Sequence, residues 1–284
     1  MTPNRKIGVL AADSISVGFV QSHRLTGQVH TFEGLQALPH SEIAQVLRDR
    51  IEEACTANSI TLTDLDGIGI GVAGIVSDGV IQESPNLPQM KGLKLREALE
   101  SVGLSNINVI NDADAMAAGI AATRGQLEKL VRVWTLGHGV GYGRYPKIEG
   151  PSEGGHMVVS LDPKEQFCGC GGKGHLEGIV GNRSMRLRFL DLEPEEVFAA
   201  AKQRDERCVA FVKLWHRALA AATANSVHLE GCGKFYISGL NAPHIDTDQL
   251  LRYLHDMVKM TPLQGSVFEI IDTTAELALI GACV

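Results

Sequence analysis

Residues 153–177 constrain this chain more than any other stretch. Glu153-Gly154-Gly155-His156 is followed by Cys168-Gly169-Cys170-Gly171-Gly172-Lys173-Gly174-His175-Leu176-Glu177. Four side chains that bind soft or borderline cations, His156, Cys168, Cys170 and His175, fall in this one segment. Glycine tolerates positive φ, so the loop can curl tightly around an ion. Two thiolates and two imidazoles suit a closed tetrahedral zinc site, the structural kind. Incidental thiols and surface histidines have no reason to converge on one glycine-rich loop. A loop fixed by zinc would also fix the carboxylates at its ends, Glu153 and Glu177.

The rest of the composition narrows the setting. A length of 284 residues with 44% hydrophobic content allows one large domain or two modest ones. A net charge of -7, with no basic block, argues against nucleic acid as a partner. No apolar run reaches membrane-spanning length, so no membrane partner is expected. The polar start, Met1 to Lys6, leads straight into a strand, which argues against a signal peptide and for a cytoplasmic protein. Cys55, Cys208, Cys232 and Cys283 are scattered in apolar surroundings and read as buried free thiols of a reducing cytosol.

Periodicity then gives the outline. Ile7–Leu10, Val17–Gln21 and Gln28–Phe32 read as strands. Ser41 is a plausible N-cap for a helix whose apolar face is Ile43, Val46, Leu47, Ile51 and Ala54. Leu65–Val72 alternates with glycine as a buried strand, Val80–Gln82 is a short strand, and Leu93–Leu99 a short helix. A strand ending at Ile110 precedes an alanine-rich helix, Asp114–Thr123. The second half restarts with strand Val131–Leu136. It becomes helical from Glu193 to His228, then gives strand Lys234–Ser238, helix Asp246–Met260, strand Val267–Ile271 and a final apolar helix, Ala275–Cys283. Alternating strands and helices imply an α/β fold.

Two further segments carry chemistry. Asn111-Asp112 stands at the carboxyl end of a buried strand, where α/β proteins place ligands. Asp114 supplies an ordinary helix N-cap, and Asp112 is one acid more than capping needs. Leu136-Gly137-His138-Gly139-Val140-Gly141 follows a strand. Its glycines would let backbone amides approach phosphate oxygens, or would simply turn a hairpin.

Glu-x-Gly-His followed by Cys-x-Cys-Gly-x-x-Gly, with Glu177 two residues after His175, resembles the ROK family of sugar kinases and repressors. His175 stands where the family usually has cysteine. The resemblance covers nearly the whole chain. It implies a two-lobed actin/hexokinase-like (ribonuclease H-like) fold, with residues 1–112 plus 272–284 as a small α/β lobe and 113–271 as a large lobe holding the zinc loop. It implies that Asn111 and Asp112 hold the sugar, with Asp112 as the general base that takes the proton of the attacking hydroxyl. Asn86, Glu153, His156 and Glu177 would be further sugar contacts. His156 would bind zinc through one ring nitrogen and face the sugar with the other. Gly137, His138, Gly139 and Gly239 would line the nucleotide, ATP with magnesium.

The first phosphate loop departs from the family pattern, Asp-x-Gly-Gly-Thr. Here it reads Leu10-Ala11-Ala12-Asp13-Ser14. The acid and both glycines are gone, and Ser14 stands for threonine. Asp13 either takes over a role with magnesium or weakens the nucleotide site. The resemblance therefore implies an ATP-dependent hexose kinase, glucose most simply, acting at the 6-hydroxyl and assembled as a homodimer. A sugar-binding protein without catalysis is the alternative. A repressor is disfavoured, because relatives of that kind carry an extra N-terminal helix-turn-helix and this fold starts near residue 6.

Overall fold

The computed structural model describes residues 5–12, 14–148, 150 and 152–284. Asp13, expected beside the nucleotide, lies outside the described residues. Contacts group the chain into two units: Met1–Val131 with Gly143–Ser152 and Thr274–Val284, and Arg132–Tyr142 with Glu153–Thr273.

The first unit runs β1 (Arg5–Ala11), β2 (Ser14–Gln21), β3 (Arg24–Glu33), α1 (Ile43–Ala57), β4 (Gly67–Val72), β5 (Ile75–Ser77), β6 (Val80–Glu83), α2 (Leu95–Ser101), β7 (Ile107–Asn111) and α3 (Asp112–Thr123). Its five-stranded sheet has the order β3-β2-β1-β4-β7. β1 pairs antiparallel with β2 and parallel with β4, and β4 is parallel to β7. The glycine alternation of β4 gives the sheet two different faces. Ile68, Ile70 and Val72 join Ile7, Val9 and Ala11 in a core completed by Leu47, Ile51 and Ala54 of α1. Burying each such large aliphatic side chain contributes roughly 1.5–3 kcal/mol. The other face is bare backbone, and the last helix of the chain, α9 (Ala275–Ala282), lies on it. An ideal Cβ on Gly8 would stand 2.2 Å from the Leu279 carbonyl oxygen, and one on Gly69 would stand 2.1 Å from that of Ala282.

The second unit runs β8 (Val131–Leu136), β9 (Val140–Tyr145), α4 (Glu177–Val180), α5 (Asn182–Arg188), α6 (Pro194–Lys202), α7 (Glu206–Glu230), β10 (Lys234–Ser238), α8 (Thr247–Met257) and β11 (Val267–Ile270). Its sheet has the order β11-β10-β8-β9, with β10 parallel to both β8 and β11. Trp215 of α7 is fully buried and donates its indole N–H to the Val180 carbonyl at 3.1 Å. Trp134 of β8 donates likewise to Thr223 at 3.1 Å. Arg132 is buried beneath the sheet, its guanidinium 3.9 Å over the Phe235 ring.

Several expectations need correction. The expected boundary after residue 112 cuts through a unit, because α3 packs on α9 and belongs with the first sheet. The helical stretch from 193 to 228 is two helices. Arg204 adopts φ +68°, and Asp205 caps α7 by accepting the Cys208 N–H at 2.8 Å. Ser41 is not an N-cap, since it lies in a short 3₁₀ turn, His40–Glu42, that runs into α1. Cys232 is exposed, in the turn between α7 and β10; Cys55, Cys208 and Cys283 are buried as expected. Among the described residues, no helix is long and apolar enough to cross a membrane.

Candidate active site and metal cluster

In the first unit the candidate residues gather at the junction of β7 and α3. Asn111 is the N-cap: its Oδ1 accepts the N–H groups of Ala113 at 2.8 Å and Asp114 at 3.1 Å. Its amide donates to the Gly74 carbonyl at 2.8 Å, which binds this junction to the end of β4. Asp112 therefore opens the helix with one oxygen on the Ala113 N–H at 2.9 Å. Burial pushes its carboxyl up to about 6, against the pull of the Ala113 amide. A carboxyl titrating near neutrality is what a general base at physiological pH requires.

Asp114 is not the cap that sequence reasoning assigned. It is buried and accepts the Arg144 N–H at 3.0 Å, which anchors the start of segment 143–152. Burial raises its carboxyl pKa, while that amide and the charges of Lys147 and Arg144 pull it down. Asn86 stands exposed in the loop after β6, between buried Ser84 and Leu87. Ser14 opens β2. The β1–β2 register closes at Ala11 opposite Ile15, and the Ala12 N–H donates to the Ser14 carbonyl at 3.1 Å. That amide is turned inward on a tight hairpin.

In the second unit His156, Cys168, Cys170 and His175 come together, their ligand atoms all within 4.8 Å of one another. The separations are tight: 3.2 Å between the two Nδ1 atoms, 3.4 Å between the two sulfurs. Each of three sulfur–nitrogen pairs is at 3.3–3.5 Å. Both histidines turn Nδ1 inward. The loop reaches this geometry through glycines: Gly171 has φ +82° and Gly174 has φ +70°. Burial lowers the His175 pKa, helped by His156 beside it. Glu153 precedes the short turn Gly154–His156 and accepts the His156 backbone N–H at 3.1 Å through its carbonyl.

The glycine hairpin 137–139 joins β8 to β9. Gly137 donates to the Gly139 carbonyl at 3.0 Å, and the N–H groups of Asn182 and Arg183 donate to the carbonyls of Gly137 and His138 at 2.9 and 3.2 Å. Glu177 joins this hairpin to the cluster. Gly239 follows β10 with φ +103° and donates to the Thr273 hydroxyl at 2.7 Å. Sequence reasoning missed Asn182 and Asn241. Both are buried, and they bond at 2.6 Å, with Asn241 donating through its amide. The Asn241 N–H also donates to the Leu136 carbonyl at 3.0 Å, so the pair ties the Gly239 turn to the hairpin. Asparagine one or two residues after a glycine was the available signal in both places.

The two sheets, the crossing back of α9 and the loops at the strand ends define the actin/hexokinase-like α/β class. The ROK hexokinase of Thermus thermophilus has this fold, with a TM-score of 0.80 at 22% identity, covering 98% of this chain and 96% of that one. Residues 13–270 match the ROK family, and the chain belongs to it. A glucokinase of Pyrobaculum calidifontis is 31% identical over 176 residues, 57% of this chain and 58% of that protein. An N-acetylmannosamine kinase of Haemophilus influenzae is 27% identical over 187 residues, 61% of this chain and 62% of that protein. The chain thus spans about three fifths of the length of these relatives.

Proposed function

We propose that the protein is an ATP-dependent hexose kinase that phosphorylates the 6-hydroxyl, with glucose the preferred sugar. The observation that carries this reading is Asp112: an acid at the carboxyl end of β7, held by a capped helix start, with its pKa pushed up to about 6 by burial. As the base it would accept the hydroxyl proton while the nucleophile attacks the γ-phosphate. Asn86, Asn111, Glu153, His156 and Glu177 would bind the sugar hydroxyls, carboxylates accepting from adjacent hydroxyls. Ser14, Gly137, His138, Gly139 and Gly239 would line the nucleotide and its magnesium, together with Asp13. Relatives named for glucose and for N-acetylmannosamine support a sugar substrate.

The donor set fits zinc. Zinc bonds of about 2.3 Å to sulfur and 2.0–2.1 Å to nitrogen give tetrahedron edges of about 3.3–3.8 Å. The observed separations of 3.2–3.5 Å lie close to that range. His156, Cys168, Cys170 and His175 would hold the ion, which would supply structural rigidity to the loop between Glu153 and Glu177. Thiolate ligation and free cysteines elsewhere fit the cytosol, and a homodimer is the expected assembly.

A second reading is favoured by one observation. The Ala12 amide is engaged inside the β1–β2 hairpin, on the side where the first phosphate loop should offer free amides. A sugar-binding protein without catalysis would tolerate this. A coupled assay with glucose, mannose and N-acetylmannosamine, each against ATP and against polyphosphate, tests both readings. Turnover of one sugar supports the kinase. Saturable sugar binding in calorimetry, with no turnover and no binding of a non-hydrolysable ATP analogue, supports the sensor.

A further inference from the structure

Glu177 divides its two carboxylate oxygens between two loops of the second unit. Oε2 accepts the Val140 N–H at 3.0 Å, and Oε1 lies 3.8 Å from the Cys168 sulfur. Val140 opens β9 directly after the glycine hairpin, whereas Cys168 belongs to the metal cluster. The hairpin is shaped around this carboxylate. An ideal Cβ on Gly139 would stand 2.7 Å from Oε2, so a side chain there would push the carboxylate off the Val140 amide.

What holds Glu177 in place is not its own helix. α4 has four residues, too few to fix its first residue through helical hydrogen bonds alone. The carboxylate is set instead by its neighbours, Cys168 across the loop and His175 two residues earlier, both members of the cluster. Filling the cluster would lock both neighbours and, with them, Glu177. Emptying it would leave the carboxylate on a short, freely hinged turn.

We propose that Glu177 is a positioning residue through which occupancy of the metal cluster sets the conformation of hairpin 137–140, and with it the affinity for a polyphosphate-bearing donor. The donor half of this statement rests on the kinase reading; the coupling of cluster to hairpin does not. Coupling of this kind is reciprocal, so the donor should also slow loss of the ion.

Hydrogen exchange of the peptide spanning 137–140, measured in zinc-loaded and zinc-stripped protein, tests the coupling directly. In wild-type protein stripping should speed exchange there by about tenfold, a coupling of the usual size. In Glu177→Ala the hairpin should exchange fast with or without zinc, while one zinc per chain is retained on the four intact ligands. Should Glu177→Ala fail to fold, Gly139→Ala reads the same bond from the other side: zinc content and sugar affinity hold, and hairpin exchange rises. The second readout is calorimetry with magnesium and a non-hydrolysable ATP analogue. Its affinity should fall at least about fivefold on stripping in wild type and should be insensitive to stripping in the variants. Hairpin exchange that is identical in loaded and stripped wild-type protein would overturn the proposal. Zinc-dependent exchange with no nucleotide binding would uphold the coupling and defeat the kinase reading instead.

Discussion

The side-chain amide of Asn111 donates to the carbonyl of Gly74 at 2.8 Å, while its oxygen caps α3. One residue thus ends a strand, starts a helix and ties that junction to the neighbouring strand end. Asn111→Ala should cost about 0.5–2 kcal/mol for the cap, with a further loss for the bare carbonyl. Asn111→Asp keeps the acceptor and loses only the donor, so it should fall between wild type and alanine. Denaturant midpoints of the three proteins give the order.

The α3–α9 contact depends on Gly119. An ideal Cβ there would stand 1.8 Å from the Leu277 carbonyl oxygen. Alanine in mid-helix normally gains up to about 1 kcal/mol over glycine. Overpacking typically costs about 1–3 kcal/mol, and a backbone oxygen cannot swing aside, so the packing term should win. Gly119→Ala should therefore lower the melting temperature. An unchanged or raised value would mean that α9 does not sit on α3.

Much of this arrangement was legible in the sequence, and the failures have physical causes. The metal cluster was readable because its four ligands are near neighbours along the chain and glycines mark where the loop must bend. The sheet face of β4 was readable from its glycine alternation. The cap was misassigned because Asn111, Asp112 and Asp114 all have capping side chains. The choice depends on where β7 stops, which its pairing with β4 decides. The domain boundary slipped because α3 is claimed by α9, far along the chain. The Asn182–Asn241 bond joins residues 59 apart, and no local pattern announces it.

His216 supplies a pH dependence. Its Nδ1 is 2.8 Å from the Val212 carbonyl and its Nε2 accepts the Asp246 N–H at 3.0 Å, an arrangement that suits the neutral ring. Burial lowers its pKa, and the Asp246 charge opposes this only in part. A depressed histidine contributes stability above its unfolded value, near 6.5, and that stability is lost as pH falls through the folded value. The melting temperature should fall as pH drops below about 6.5, and His216→Gln should flatten that slope. Equal slopes would remove His216 from the account.

Asp112 acts in the opposite sense. Its folded pKa, pushed up to about 6, exceeds the usual 3.8, so folding favours the protonated form. That contribution is complete below about pH 4 and is lost as pH rises through about 6. Asp112→Asn should therefore be more stable than wild type at pH 8, by about 1–3 kcal/mol, and no more stable at pH 4. Denaturant unfolding at the two pH values measures the difference.

The central claim is that this same carboxylate takes the hydroxyl proton during phosphoryl transfer, and the turnover of Asp112→Asn tests it most directly. The substitution keeps the shape and removes the proton acceptor. With saturating sugar and ATP, kcat should fall by about 10²-fold or more, with sugar affinity in calorimetry little changed. A variant that turns over at close to the wild-type rate would contradict the account.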